Sequence, residues 1–143
     1  MRPTLLLATL ACLLLPSCAL FGITSKVEVD HPLHVLESGV HYREIVMGQG
    51  PPLETGQAVT IDYTGYLADG SVFDSSLERG LTLDFVLGDA PLPGWNEALL
   101  GMRAGGRRHV SIPPELAYGE AGVEGLVPPN ETLVFEIWLL EIR

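Results

Sequence analysis

Cysteine is nearly missing from this 143-residue chain: Cys12 and Cys18 are the only two, both close to the N-terminus. Everything after them can form no disulfide and offers no thiol nucleophile, a composition suited to an oxidising compartment. Phosphate-binding loops are missing as well. Gly48-Gln49-Gly50 and the Gly101–106 stretch are glycine-rich, but neither leads into a helix through a Lys-Ser/Thr pair, so both read as turns. No Ser–His–acid or Cys–His set can be assembled from spacing. His31, His34 and His41 lie where no helical period aligns them, which predicts solvated histidines and no metal site. Basic residues are few, 8 against 18 acidic, giving a net charge of −10. That field repels phosphate and excludes nucleic acid and anionic lipid headgroups as direct partners. Arg103, Arg107 and Arg108 are the one basic cluster, read as a solvated turn. Repeats and low-complexity tracts are absent too. No nucleophile set, metal cluster or phosphate loop can thus be proposed from the spacing of these residues.

Long apolar runs are confined to the start of the chain. Arg2 is followed by Leu5-Leu6-Leu7-Ala8 and Cys12-Leu13-Leu14-Leu15, with no acidic residue in the first 23. A short basic region ahead of about a dozen apolar residues has the proportions of a secretory signal. Leu15-Pro16-Ser17-Cys18 is similar to a bacterial lipobox, predicting a signal peptide over 1–17 and lipidation of Cys18 as the first mature residue. Cleavage there removes Arg2, the sole charge before Cys18, and takes the net charge from −10 to −11. The alternatives are an ordinary cleaved signal and an uncleaved anchor. About twenty residues from Thr4 onward would span a bilayer, but Pro16 costs about 3 kcal/mol in a helix interior. In every version the domain lies outside the cytoplasmic membrane. Ala19 after Cys18, in place of Asp, favours an outer membrane where one exists.

Residues 18–37 read as a lipidated cysteine and tether, within which 27–30 alternate enough to suggest an edge strand. Residues 38–143 form one domain. Strands are predicted over 41–47, 57–67, 71–73, 81–87, 107–112 and 132–142 from alternation and β-branched or aromatic content. Asp69-Gly70 between two of them is a hairpin signal. The one predicted helix covers 93–102: Pro93 suits a helix start, and Trp95, Ala98, Leu99 and Met102 share a face. The fold class is α+β, with five or six antiparallel strands in a curved sheet wrapped around one short helix.

Of the ten Phe, Tyr and Trp residues, five fall at Tyr63, Phe73, Trp95, Tyr118 and Phe135. Taken singly, each is ordinary core, since strands favour aromatics and interiors bury them. Their neighbours make a pattern: Tyr63-Thr64-Gly65, a hairpin, Phe73-Asp74-Ser75-Ser76, Pro93-Gly94-Trp95, Ala117-Tyr118-Gly119, Pro128-Pro129 and Leu133-Val134-Phe135, in that order.

This series resembles the FKBP-type peptidyl-prolyl cis–trans isomerases, over residues 38–143. The resemblance implies a proline pocket lined by Tyr63, Phe73, Asp74, Leu92, Trp95, Tyr118, Leu126, Val127 and Phe135, with Trp95 as its floor. It implies an Asp74–Arg79 ion pair and a flap over 117–131. It also implies that the Leu92 N–H and the Tyr118 hydroxyl hold substrate carbonyls. Leu83 stands where many members carry Phe, Val123 where some carry His, and Pro91-Leu92-Pro93 where a Val-Ile pair is usual. Expected partners are proline-containing polypeptides and macrolides such as rapamycin, with no cofactor. The tether has no room for the helical dimerisation domain of some relatives, which points to a monomer. The alternative on the same pocket is a proline-peptide-binding module without turnover.

Overall fold

The computed structural model of the chain describes residues 31–143. The expected signal peptide, Cys18, the 27–30 strand and most of the tether lie outside the described residues. From His31 onward the chain forms one compact unit. Seven strands build it: β1 (Leu33–Val35), β2 (His41–Val46), β3 (Ala58–Tyr66), β4 (Val72–Ser75), β5 (Leu83–Val86), β6 (Arg107–Ile112) and β7 (Leu133–Ile142). They pair antiparallel in the order β1-β2-β6-β7-β3-β4, with β5 also on β3. This is the α+β layout read from the sequence, a curved antiparallel sheet with a few short helices.

Period-two alternation explains why the central strands sit as they do. Along β3, Val59, Ile61 and Tyr63 point inward; along β7, Leu133, Phe135, Ile137 and Leu139 do; Val110 and Ile112 follow on β6. The register joins them, with Gly65 opposite Phe135 and Tyr63 opposite Ile137. Each fully buried apolar side chain contributes roughly 1.5–3 kcal/mol over leaving it exposed.

Three differences from the sequence reading concern short elements. β1 occupies residues read as tether, and it exists because Leu33 to Val35 pair with His41 to Arg43 of β2. The helix expected over 93–102 is only α2, Trp95–Ala98. Gly101 takes a left-handed φ of 81° and Met102 N–H closes on Leu99 C=O at 3.0 Å, so the chain turns out of the helix early. An additional turn, α1 (Ser76–Arg79), is capped by the Ser75 hydroxyl, which accepts from Glu78 N–H at 3.3 Å, and closed by Gly80. Arg108 is no part of a solvated turn. It is 4% exposed, pairs with Glu44, and donates through Nη1 to the carbonyls of Ala98 and Leu100 at 2.8 Å each. It thereby satisfies carbonyls at the end of α2 that would otherwise lack partners.

Candidate functional site

The middle of β3 is where two strands part. β4 pairs with Thr64 to Tyr66, β5 pairs with Ala58 to Ile61, and residues 62 and 63 between them have no strand on that edge. Ser76, fully buried at the start of α1, takes the missing place. Its hydroxyl accepts from Tyr63 N–H at 2.8 Å and donates to Asp62 Oδ1 at 2.7 Å. The same turn brings Arg79 back to Asp74, five residues earlier.

Tyr63, Asp74 and Arg79 form a closed polar triangle. The Tyr63 hydroxyl donates to Asp74 Oδ2 at 2.5 Å and accepts from Arg79 Nη2 at 2.9 Å; Arg79 Nη1 is paired with Asp74 Oδ1. The Tyr63 phenol is held above its ordinary pKa, first by burial and then by the bond to Asp74, with Arg79 opposing. Arg79 is raised chiefly by its bond to the Tyr63 hydroxyl. Tyr118, half-exposed, is raised by burial and then by the Asp74 charge.

Against this triangle stands an aromatic cluster. Trp95 lies edge-on to Tyr63 at 5.1 Å and to Phe135 at 5.2 Å, and Phe73 meets Phe135 at 5.7 Å, all in tilted or T-shaped geometries. Gly65 permits that approach: a Cβ there would sit 2.7 Å from Phe73 and 2.8 Å from Phe135. Gly94 does the same for α2, where a Cβ would meet Ile112 Cγ2 at 2.5 Å.

These groups enclose a cavity of about 150 Å3 lined by Tyr63, Phe73, Asp74, Leu83, Pro91, Leu92, Trp95, Tyr118 and Phe135. Nine residues singled out from the sequence thus meet in one place, with Arg79 bonded to two of them. Val123, Leu126 and Val127 do not line this cavity. They line a neighbouring one of about 500 Å3, inside the flap and against Leu67 of the β3–β4 hairpin. The reason is a local bridge: Val123 and Val127 pair with each other, folding the flap tip onto itself. Among the described residues, no group of three or more His, Cys, Asp or Glu could hold a metal ion; His34 stacks on Tyr42 at 4.6 Å instead.

The family model described as FKBP-type peptidyl-prolyl cis-trans isomerase matches residues 50–140. The chain belongs to that family. It is 44% identical over 106 residues to the FKBP-type peptidyl-prolyl cis-trans isomerase FkpA of Escherichia coli, covering 74% of this chain and 38% of FkpA. It is 48% identical over 88 residues to FK506-binding protein 2 of Yarrowia lipolytica, 61% of each chain. Its fold matches the crystal structure of E. coli FkpA with a TM-score of 0.72 at 41% identity, covering 78% of this chain and 51% of that one. A peptidyl-prolyl cis-trans isomerase from Pseudomonas syringae pv. tomato gives a TM-score of 0.69 at 34% identity, covering 80% and 84%. The chain thus spans 38–61% of the length of these curated relatives.

Sequence reasoning passed over several residues that shape this FKBP-type site. Phe85 packs on Trp95 with ring centroids 5.9 Å apart; its signal was its place two residues after Leu83 on one strand face. Gly65 was marked by being a glycine inside a strand. Ser76 stood in the Phe73-Asp74-Ser75-Ser76 segment of the series with no role of its own, and Asn96 carried no pattern that separates it from surface polar residues.

Proposed function

We propose that this protein is a peptidyl-prolyl cis–trans isomerase that accelerates X-Pro rotation in exported polypeptides. The observation that carries the reading is a pocket of about 150 Å3 in which aromatic rings face a carboxylate engaged through both oxygens. A dry apolar cavity of about that size accepts one small ring such as benzene, and a prolyl ring is comparable.

The X-Pro amide resists rotation by about 18–20 kcal/mol because resonance stiffens its C–N bond. Unaided, it turns over in tens to hundreds of seconds. No bond breaks, so the reaction needs neither nucleophile nor base. It needs tighter binding of the twisted amide than of either planar form. Twisting removes resonance and with it much of the amide's charge separation, so walls of Tyr63, Phe73, Trp95 and Phe135 favour the twisted form. The planar, more polar amide is better served by water. The Leu92 N–H and the Tyr118 O–H donate to carbonyls on either side of the proline, holding the chain while the prolyl end turns. Both donors lack an acceptor among the described residues. Asp74, tied by Tyr63 and Arg79, orients this wall and performs no proton transfer. Leu83 and Pro91 complete the rim, and Val123, Leu126 and Val127 meet the flanking polypeptide from the flap.

The same pocket would admit macrolides such as rapamycin. Residues 1–17 act as a signal peptide and Cys18 carries lipid, anchoring a monomeric domain in the cell envelope through the tether over 18–37. The lipobox-like Leu15-Pro16-Ser17-Cys18 supports this, and stable attachment requires more than one acyl chain. Radiolabelled palmitate incorporation that Cys18→Ser abolishes is the expected result, and labelling that persists in Cys18→Ser would refute it.

The functional test is isomerisation of a Leu-Pro-Phe peptide by the full-length chain. Acceleration suppressed both by rapamycin and by Trp95→Ala is expected. Peptide binding without acceleration would replace the enzyme with a binding module.

A further inference from the structure

Leu92 stands between Pro91 and Pro93, so its N–H is the one main-chain donor of the three residues. Pro93 restricts Leu92 to an extended backbone. Its carbonyl is occupied by Trp95 N–H at 3.0 Å, and its side chain is buried at 3% exposure. Downstream, then, the residue is fixed.

Upstream, the chain leaves β5 through a turn at Gly88, whose φ is 114°. The turn closes on itself through Asp89 N–H to Val86 C=O at 2.9 Å, and one side-chain atom ties it to α2. The Asn96 amide oxygen accepts from Gly88 N–H at 2.8 Å and from Ala90 N–H at 3.1 Å. Asn96 follows Trp95 on α2, the helix that carries the floor of the pocket. It is only half-buried and does not line the aromatic cavity. Between the clasped Ala90 N–H and the free Leu92 N–H lies Pro91, whose ring locks its own φ. Few soft torsions therefore separate the clasp from the donor.

We propose that Asn96 is a positioning residue for the isomerase, clamping the 88–90 turn to α2 so that the Leu92 N–H is held toward the pocket before substrate arrives. The proposal rests on the isomerase reading above and deepens it. A donor ordered in advance meets a substrate carbonyl without the entropic cost of fixing a mobile loop. Asn is also a poorer helix former than Ala, so its presence on α2 is not explained by the helix.

The test uses the full-length chain and two readouts, one of them independent of activity. The first is 15N relaxation of the Leu92 amide without peptide: rigid in the wild type, with added fast motion in Asn96→Ala. The second separates kcat from KM on a Leu-Pro-Phe peptide. Asn96→Ala is expected to raise KM about three- to tenfold, the scale of one or two neutral hydrogen bonds, with kcat within about twofold. Asn96→Asp, which keeps an oxygen at the same reach, should restore KM and the rigid amide. If Asn96→Ala does not fold, Asn96→Leu removes the acceptor at similar volume and is read in the same way. Unchanged Leu92 relaxation and KM in the acceptor-free variant overturn the proposal, as does equal impairment of Asn96→Asp. A wild type that accelerates no prolyl peptide overturns the isomerase reading, while the relaxation data still judge the clasp.

Discussion

Tyr63 donates its hydroxyl proton to Asp74 Oδ2 across 2.5 Å while accepting from Arg79, which itself pairs with the other oxygen of the same carboxylate. A buried phenol thus engages one oxygen of the Asp74 carboxyl group and Arg79 the other, at the edge of an apolar pocket. That arrangement suits a structural anchor better than a proton donor.

The first prediction follows from it. Trp95→Ala removes the floor and Asp74→Ala removes only the anchor, so turnover of a prolyl peptide should fall further in the former. The comparison is made below the melting temperature of both variants. The opposite ranking, with Asp74→Ala fully folded, would assign the carboxylate a chemical step. Tyr63→Phe should be intermediate, and should cost about 1.5–3 kcal/mol in denaturant unfolding, the usual loss for a hydrogen bond to a charged group.

Alkaline pH supplies a second. Tyr63 and Tyr118 both have raised folded pKa values, burial being the leading cause in each. The unfolded chain therefore releases these protons first. Their contribution to stability is whole below about pH 10, the unfolded phenol value, and is lost as pH rises through the folded values. Denaturant midpoints should decline above about pH 10, less steeply in Tyr63→Phe. An identical alkaline slope in that variant would refute the assignment.

Gly65→Ala puts a methyl 2.7 Å from the Phe73 ring and 2.8 Å from Phe135. Overpacking of this kind costs about 1–3 kcal/mol, and here the displaced atoms are the pocket walls. Thermal melts should show the loss, and peptide affinity should weaken more than in a core variant of equal stability. Full affinity in Gly65→Ala would mean that the rings yield without closing the pocket.

Removing Arg108 should act on stability alone. Arg108→Ala leaves the partly buried Glu44, 15% exposed, without this partner and removes the donor to the Ala98 and Leu100 carbonyls; breaking a fully buried pair from one side costs about 3–5 kcal/mol, which is the upper bound here. Per folded molecule, peptide affinity should stay within about twofold. A selective loss of affinity at unchanged melting temperature would contradict this.

The strands were legible because alternation is local. The run read over 57–67 became Ala58–Tyr66, and 107–112 became Arg107–Ile112, since each residue's facing depends only on its neighbours along the strand. β1 was not legible: Leu33 to Val35 are three exposed residues, too few to display a period, and pairing with β2 alone makes them a strand. The helix was read too long because an apolar face continues to Met102, while Gly101 ends the hydrogen bonding first.

By itself the sequence determined the acidic charge, the longer strands along the chain, and the residue types available to a pocket: aromatic rings, an Asp and an Arg, and a lone N–H between two prolines. Those are properties of composition and of neighbours along the chain. The tertiary structure decided which of them meet. Register brought Gly65 beneath Phe73 and Phe135, and a left-handed turn at Gly88 delivered its amide to Asn96. The Val123–Val127 bridge kept Val123, Leu126 and Val127 outside the aromatic cavity, while Tyr118 at the start of the flap lines it. Contacts between residues far apart depend on strand register and turn geometry together, which no single segment of the chain specifies.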